Sequence, residues 1–264
     1  MSAHYESLHQ TTAYREAFDV EPPEALGEPH LWPRWQGLFI RGLAATTEAV
    51  AADTATVTDT DTDTDTDTGT GAGADAGTGT ALEKAKPVVP KQRVLTPGQW
   101  GLVPSWVKSA SDAKLRSPKL VYARSETVTT SKNFRDAWLN GQRCIVPMQA
   151  FFEDDWRTGK AVPTRIARVD RQPMGMAGLW ALWTGPEGDT LLSYTVLTVN
   201  ANNHALMSRY QHAGNDKHMP VLLNEGAFDA WLNVRVEKAK EFMRQYPANW
   251  LAANPVEGKA GRSM

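Results

Sequence analysis

The sequence predicts an α+β fold, an antiparallel barrel-like β-sheet with peripheral helices. Three features carry that expectation. Over residues 143–200, short runs rich in Val, Ile, Thr and aromatic residues follow one another, bounded by Gly, Pro, Asp or Asn, the mark of strands joined by turns. Helical spacing of apolar residues is confined to the flanks of that series, which argues against alternating βαβ units. A low-complexity tract over residues 44–90 leaves roughly 200 of the 264 residues for folding, enough for one domain with a sizeable core.

Residues 5–18 read as a first helix, with Tyr14, Ala17 and Phe18 at helical spacing, and 38–41 as a first strand. The 44–90 tract repeats Thr-Asp over 58–68 and continues as Gly-Thr-Gly-Ala-Gly-Ala-Asp-Ala-Gly. With no aromatic and few large aliphatic residues, it cannot bury enough surface to offset the entropy of ordering, and a disordered acidic Thr/Asp/Gly-rich insertion is expected. Residues 100–106 read as an apolar strand ending at Pro104, and Ser131 as the cap of a helix that runs to Leu139 and stops at Asn140-Gly141. Strands follow at 143–147 with 150–156, then 162–169, 174–183 and 190–200, as an antiparallel meander. A last strand at 219–223 precedes a helix capped by Asn224 with Phe228, Trp231 and Leu232 on one face. The domain is thus expected over 1–43 and 91–250, with 251–264 as a C-terminal tail.

The formal net charge is −2, but the insertion holds nine acids and two bases; removing them from 30 acids and 28 bases leaves 26 bases against 21 acids, a body at +5. That mild excess is compatible with a polyanionic ligand. The single Cys144 excludes an intramolecular disulfide and, beside Ile145 in a strand-like run, reads as a small buried apolar residue in a reducing compartment. No apolar run approaches the roughly 20 residues of a membrane span, and residues 2–10 are polar, so a cytoplasmic protein without membrane association is expected. Phosphate loops, zinc-ligand spacing and dinucleotide fingerprints are missing, so neither cofactor nor metal is expected.

The densest stretch, 121–156, sets Arg124, Glu126 and Glu153 among apolar segments, where each charge needs a partner or a function because an unpaired buried charge is costly. Seven blocks in order carry a resemblance: Trp-Gly-Leu-Val-Pro-Ser-Trp (100–106), Ala-Arg-Ser-Glu-Thr (123–127), Arg-Cys-Ile-Val-Pro (143–147), Phe-Phe-Glu (151–153), Ala-Gly-Leu-Trp (177–180), Leu-Thr-Val-Asn-Ala (197–201) and Met-Pro-Val-Leu-Leu (219–223). Together they resemble the SRAP family, the SOS response-associated peptidases that process abasic sites in single-stranded DNA. The resemblance covers nearly the whole chain outside the insertion. It implies a barrel-like domain with a positively charged cleft for single-stranded DNA. It also implies removal of the initiator methionine, exposing a cysteine whose α-amine attacks the ring-opened sugar and whose thiol closes a stable thiazolidine. An α-amine titrates near about 7.7–8.0 and is partly neutral at physiological pH, a sensible nucleophile.

At the chemistry the chain departs from that pattern. Ser2, in Met-Ser-Ala-His-Tyr, stands at the place of the cysteine, Tyr122 at the place of an asparagine and Gln211 at that of a histidine; Glu153 keeps the glutamate. Ser2 and Glu153 are therefore the candidate catalytic residues, with amine chemistry retained and a lasting ring not expected, since an oxazolidine hydrolyses far more readily than a thiazolidine. Glu153 serves as a general acid or base, its pKa raised by Phe151 and Phe152, or as a structural carboxylate paired with Arg124.

The resemblance assigns DNA contacts to Arg124, Trp106, Ser125, Thr198 and His218. Arg124 suits phosphate, with an internal pair to Glu126 or Glu153 as the alternative; Trp106 is an aromatic wedge or a core residue; Thr198 lines the pocket or fills a strand. His4 replaces an arginine at the phosphate site, and His218 stands where another arginine is expected. His204, His212 and His218 have no fourth ligand nearby and read as packed or solvated. Three functions fit: a monomeric abasic-site processor with self-processing peptidase-type and Schiff-base or lyase chemistry, a single-stranded-DNA-binding pseudoenzyme, and a degenerate relative keeping only the fold.

Overall fold

Tyr5–Glu6 form a short strand (β1), not the start of the first helix, because their backbones pair on both sides, with His30–Leu31 (β2) and with Phe151 and Ala150. The structure, a computed structural model, describes residues 1–43 and 92–256, so the expected insertion at 44–90 lies outside the described residues. Helix α1 is the shorter Thr11–Phe18, burying Tyr14 and Phe18 one turn apart and ending at Asp19 in the left-handed conformation.

Gln36–Gly42 (β3) pairs antiparallel with Arg93–Trp100 (β4). The strand expected at 100–106 thus lies on the N-terminal side of Trp100. Gly101 ends it at φ 115, where an added Cβ would collide with the Ser117 carbonyl. Leu102 and Val103 are still buried, but in a loop whose N–H groups donate to Leu120 O and Ser193 Oγ. Ala110–Arg116 (α2) follows, capped by Ser109, then Tyr122–Arg124 (β5). The helix expected from Ser131 narrows to Arg135–Leu139 (α3), with turns before it.

Arg143–Met148 (β6), Ala150–Asp155 (β7), Val162–Arg168 (β8), Met174–Thr184 (β9) and Thr190–Asn200 (β10) occupy the expected runs. They are not one meander. β6 pairs with β9 and β3, whereas β7 pairs with β8 and β1, so the tight connection at Gln149 passes the chain from one sheet to the other. Strands β10, β4, β3, β6, β9 and again β10 close a five-stranded barrel, in which the β10–β4 contact is parallel. β5 also joins β10 in parallel. The sheet is therefore mixed where an antiparallel one was expected.

The run 219–223 divides into His218–Pro220 (β11) on β10 and Leu222–Leu223 (β12) on β9. Phe228–Asn233 (α4) buries Phe228, Trp231 and Leu232; the Asn224 side chain does not cap it, since a 3-10 turn at Glu225–Ala227 intervenes. Leu251–Pro255 (β13), placed in a tail by the sequence, pairs with β8 and extends the folded body past residue 250. Trp100, Trp138, Trp231, Tyr194 and Phe39 fill the interior, each fully buried, and Trp231 donates its indole N–H to Cys144 O at 2.8 Å. Cys144 itself is buried, which pushes its thiol pKa well up. No helix among the described residues is long and apolar enough to cross a membrane.

Candidate active site

Two structural units converge at one cavity. From the barrel, the end of β10 is bordered by β5 on one side and β11 on the other, with Thr198 level with Arg124 and Pro220. From the second sheet, β7 carries Glu153 on the same face as Phe151, two residues apart along the strand. The loop between β10 and β11 is tied to β7 by Gln211 N–H to Asp154 O at 2.9 Å. Together they enclose a cavity of about 570 Å³ lined by Met1, Ser2, Tyr122, Arg124, Glu153, Asp154, Trp156, Thr198, Gln211, His212, Asn215, Asp216 and His218.

At its floor, the Ser2 backbone nitrogen donates to Glu153 Oε2 at 3.0 Å, and Tyr122 OH donates to Ser2 O at 2.8 Å. Glu153 is only 1% exposed. Its second oxygen accepts from Gln211 Nε2 at 3.3 Å, while that amide also donates to His218 O at 2.6 Å and accepts from His218 N at 3.3 Å. Gln211 makes these contacts from φ 67, an uncommon conformation for a non-glycine residue. Burial pushes the Glu153 carboxyl up to about 7, and the nearby N-terminal charge and the Ser2 N–H hold it from going higher. A carboxyl titrating there exchanges protons at neutral pH. Burial and the Glu153 charge keep the Tyr122 phenol protonated, consistent with its role as donor.

Arg124 is exposed at the rim and pairs with neither acid that the sequence offered as an alternative: Glu126 accepts from Asn200 N–H at 3.2 Å and lies 3.6 Å from His218 Nε2, and Glu153 is engaged by Ser2 and Gln211. Thr198 and His218 line the cavity; Ser125 is joined to the same strand end through its N–H to Thr198 O at 2.9 Å, without lining it. Trp106 lies outside the lining. Its indole N–H donates to Lys132 O at 3.0 Å, and its ring lies between Lys132 Nζ, 4.1 Å from the centroid, and the Arg116 guanidinium at 5.0 Å. His204 is buried and its ring binds Tyr246 O, a packed residue.

The lining of this cavity brings one guanidinium, Arg124, together with Glu153, Asp154 and Asp216. Three lining residues carry no sequence signal of their own: Asp154 on β7 beside Glu153, Trp156 just past the end of that strand, and Asp216 in the loop before β11. Nor do the surroundings of His4 carry one. That ring stacks on Phe152 and Trp32, and burial beside His30 lowers its pKa to about 4, so at neutral pH it brings no charge to replace the arginine.

The family model described as SOS response associated peptidase (SRAP) matches residues 45–263. The abasic site processing protein HMCES of Gallus gallus is 28% identical over 186 residues, covering 62% of this chain and 53% of that protein. The abasic site processing protein YoqW of Bacillus subtilis (strain 168) is 34% identical over 140 residues, covering 51% of this chain and 55% of that one. The chain thus spans about half the length of these curated relatives. A crystal structure of a Bordetella bronchiseptica protein is 31% identical with a TM-score of 0.75, covering 97% of this chain and 100% of that one. With its serine at position 2 and its one cysteine buried in β6, this chain belongs to the SRAP family as a member that lacks the N-terminal cysteine.

Proposed function

We propose that this chain captures the aldehyde of an abasic site in single-stranded DNA through the α-amine of Ser2, forming a reversible imine in place of a lasting crosslink. The observation that carries this reading is the Ser2 nitrogen, 3.0 Å from the buried Glu153 carboxylate, in an open cavity. Removal of Met1 turns that amide nitrogen into an amine. Glu153 then takes the proton that the amine must lose before attack, and returns it to the carbinolamine hydroxyl, which leaves as water as the C=N bond forms. The imine in turn acidifies the neighbouring sugar carbon, the route to lyase cleavage. Tyr122 fixes the Ser2 carbonyl, and Gln211 orients Glu153 where the family places a histidine.

A second reading has its own observation. Met1 lines the cavity, and while it stays attached Ser2 N is an unreactive amide, so the chemistry at Ser2 is closed and the chain serves there as a binder of damaged single strands. Intact mass measurement of the purified protein separates the two: loss of Met1 supports the amine, retention supports the binder. Ser2→Cys supplies the missing sulfur, and its adduct with an abasic oligonucleotide is expected to survive heating without reductant. Failure of that variant to crosslink would show that Tyr122 and Gln211 have dismantled the site for ring closure.

A further inference from the structure

Three rings, of His4, Phe152 and Trp32, form a column that does not line the Ser2 cavity. The His4 imidazole stacks on Phe152 at 3.9 Å and 7°, and on Trp32 at 4.1 Å and 9°. The inner end is closed: Phe152, the neighbour of Glu153 on β7, is 7% exposed. At the outer end Trp32 is 44% exposed, so one indole face is used by His4 and the other meets solvent. The indole is also rigidly presented. Trp35 N donates to Trp32 O at 3.0 Å, Arg34 N to Trp100 O at 2.7 Å, and Trp100 N to Trp35 O at 2.9 Å. Arg34 holds φ 72 within that turn, a left-handed conformation for a bulky residue. His4 Nε2 meets His30 Nδ1 at 3.0 Å, which fixes the middle ring.

Packing explains the inner rings and leaves the outer indole face without an account. A fixed, near-parallel aromatic stack ending in solvent suits another flat π surface, whereas a phosphate finds no charge in it. His4 is two residues from Ser2, and its carbonyl accepts from the Phe152 N–H at 3.2 Å; Phe152 adjoins Glu153 along β7 with its ring on the opposite face, so the column stands on the far side of β7 from the carboxylate and within two residues of the Ser2 nitrogen. We propose that Trp32 is the stacking platform for an unpaired nucleobase adjacent to the abasic sugar, an inference that rests on the abasic-strand reading of the Ser2 cavity. It makes Trp32 a positioning residue: the stack sets the register of the strand so that the base-free sugar falls at Ser2.

The test uses the full chain and single-stranded oligonucleotides with a tetrahydrofuran abasic analogue, which cannot form an imine, flanked by 2-aminopurine on its 5′ or 3′ side. Binding is expected to quench one of the two probes. Trp32→Ala should restore that emission and weaken binding about tenfold, the scale of one lost base–aromatic stack, while Trp32→Phe keeps most of both. Trp250, 48% exposed and edge-on to Tyr246, supplies the control: Trp250→Ala should behave like the parent. Unchanged emission and affinity in Trp32→Ala, or an equal loss in Trp250→Ala, overturns the platform. No binding by the parent at low salt overturns both the platform and the abasic-strand reading. Trp32-dependent quenching without a borohydride-trapped adduct on a true abasic strand sinks the Ser2 chemistry and supports the stack.

Discussion

The floor and the rim of the Ser2 cavity are built from different materials. At the floor, Ser2, Tyr122, Glu153 and Gln211 form one hydrogen-bonded set, with both oxygens of a buried carboxylate engaged. At the rim, Arg124 points into the opening with Asp154 and Asp216 nearby and no internal partner from Glu126 or Glu153. The contrast separates two tasks. Proton transfer needs fixed geometry and a tuned pKa, which a buried network supplies; strand capture needs free charge, and here little of it is positive. Substitutions at the floor should therefore alter chemistry and leave affinity nearly intact, and substitutions at the rim the reverse.

The largest expected effect is on the floor. Glu153→Gln keeps the size of the side chain and removes its proton exchange, so the rate of borohydride-trapped adduct should fall by about 100-fold or more, within the range of general acid–base catalysis. Affinity for an abasic strand should change by less than about threefold. An equal drop in both would erase the distinction between floor and rim.

Stability against pH gives the next effect. Glu153 titrates near 7 in the folded chain against about 4.3 unfolded, so the folded state holds its proton more tightly over that window. Its contribution is fully present below the unfolded value and is lost as pH rises through about 7, a decline of ~4 kcal/mol. His4 works with the opposite sign. Its folded pKa of about 4 lies below the ordinary 6.5, so the stability it contributes disappears as pH falls through that interval. Urea unfolding at pH 5 and pH 8 should show Glu153→Gln flattening the decline toward high pH and His4→Phe flattening the decline toward low pH. Curves that move together would mean that one of the two titrations is misassigned.

The rim carries the smallest effect. Arg124→Ala should weaken single-strand binding a few-fold at low salt and reduce the salt slope by about one, with trapping per bound complex unchanged. Fluorescence anisotropy across a salt series reads it, and a slope identical to the parent's would remove Arg124 from the phosphate path.

Much of this was legible in the chain. The long runs that became β9 and β10 announce themselves as near-continuous apolar stretches between turn residues, and the resemblance points to Ser2, Glu153, Arg124 and Thr198, which line one cavity. What misled was local pattern overruled by tertiary pairing. Tyr5–Glu6 reads as part of the helix that carries Tyr14 and Phe18, yet its backbone is captured by strands on both sides. Residues 102 and 103 are apolar because they are buried, but their N–H groups bond a loop and a side chain instead of a ladder. Residues 93–99, for which no strand is expected, belong to β4, where Pro97 stands opposite Leu38. Asp216 and Trp32 reach their places through loops between strands, for which no spacing rule exists.

The most direct test incubates the purified chain with a single-stranded oligonucleotide carrying one abasic site, with and without borohydride, followed by heating and denaturing electrophoresis. The expected result is an adduct at the Ser2 amine, located by peptide mass spectrometry, that survives only when borohydride has reduced it. A heat-stable adduct without reductant, or the absence of any adduct with it, would contradict a reversible imine at Ser2.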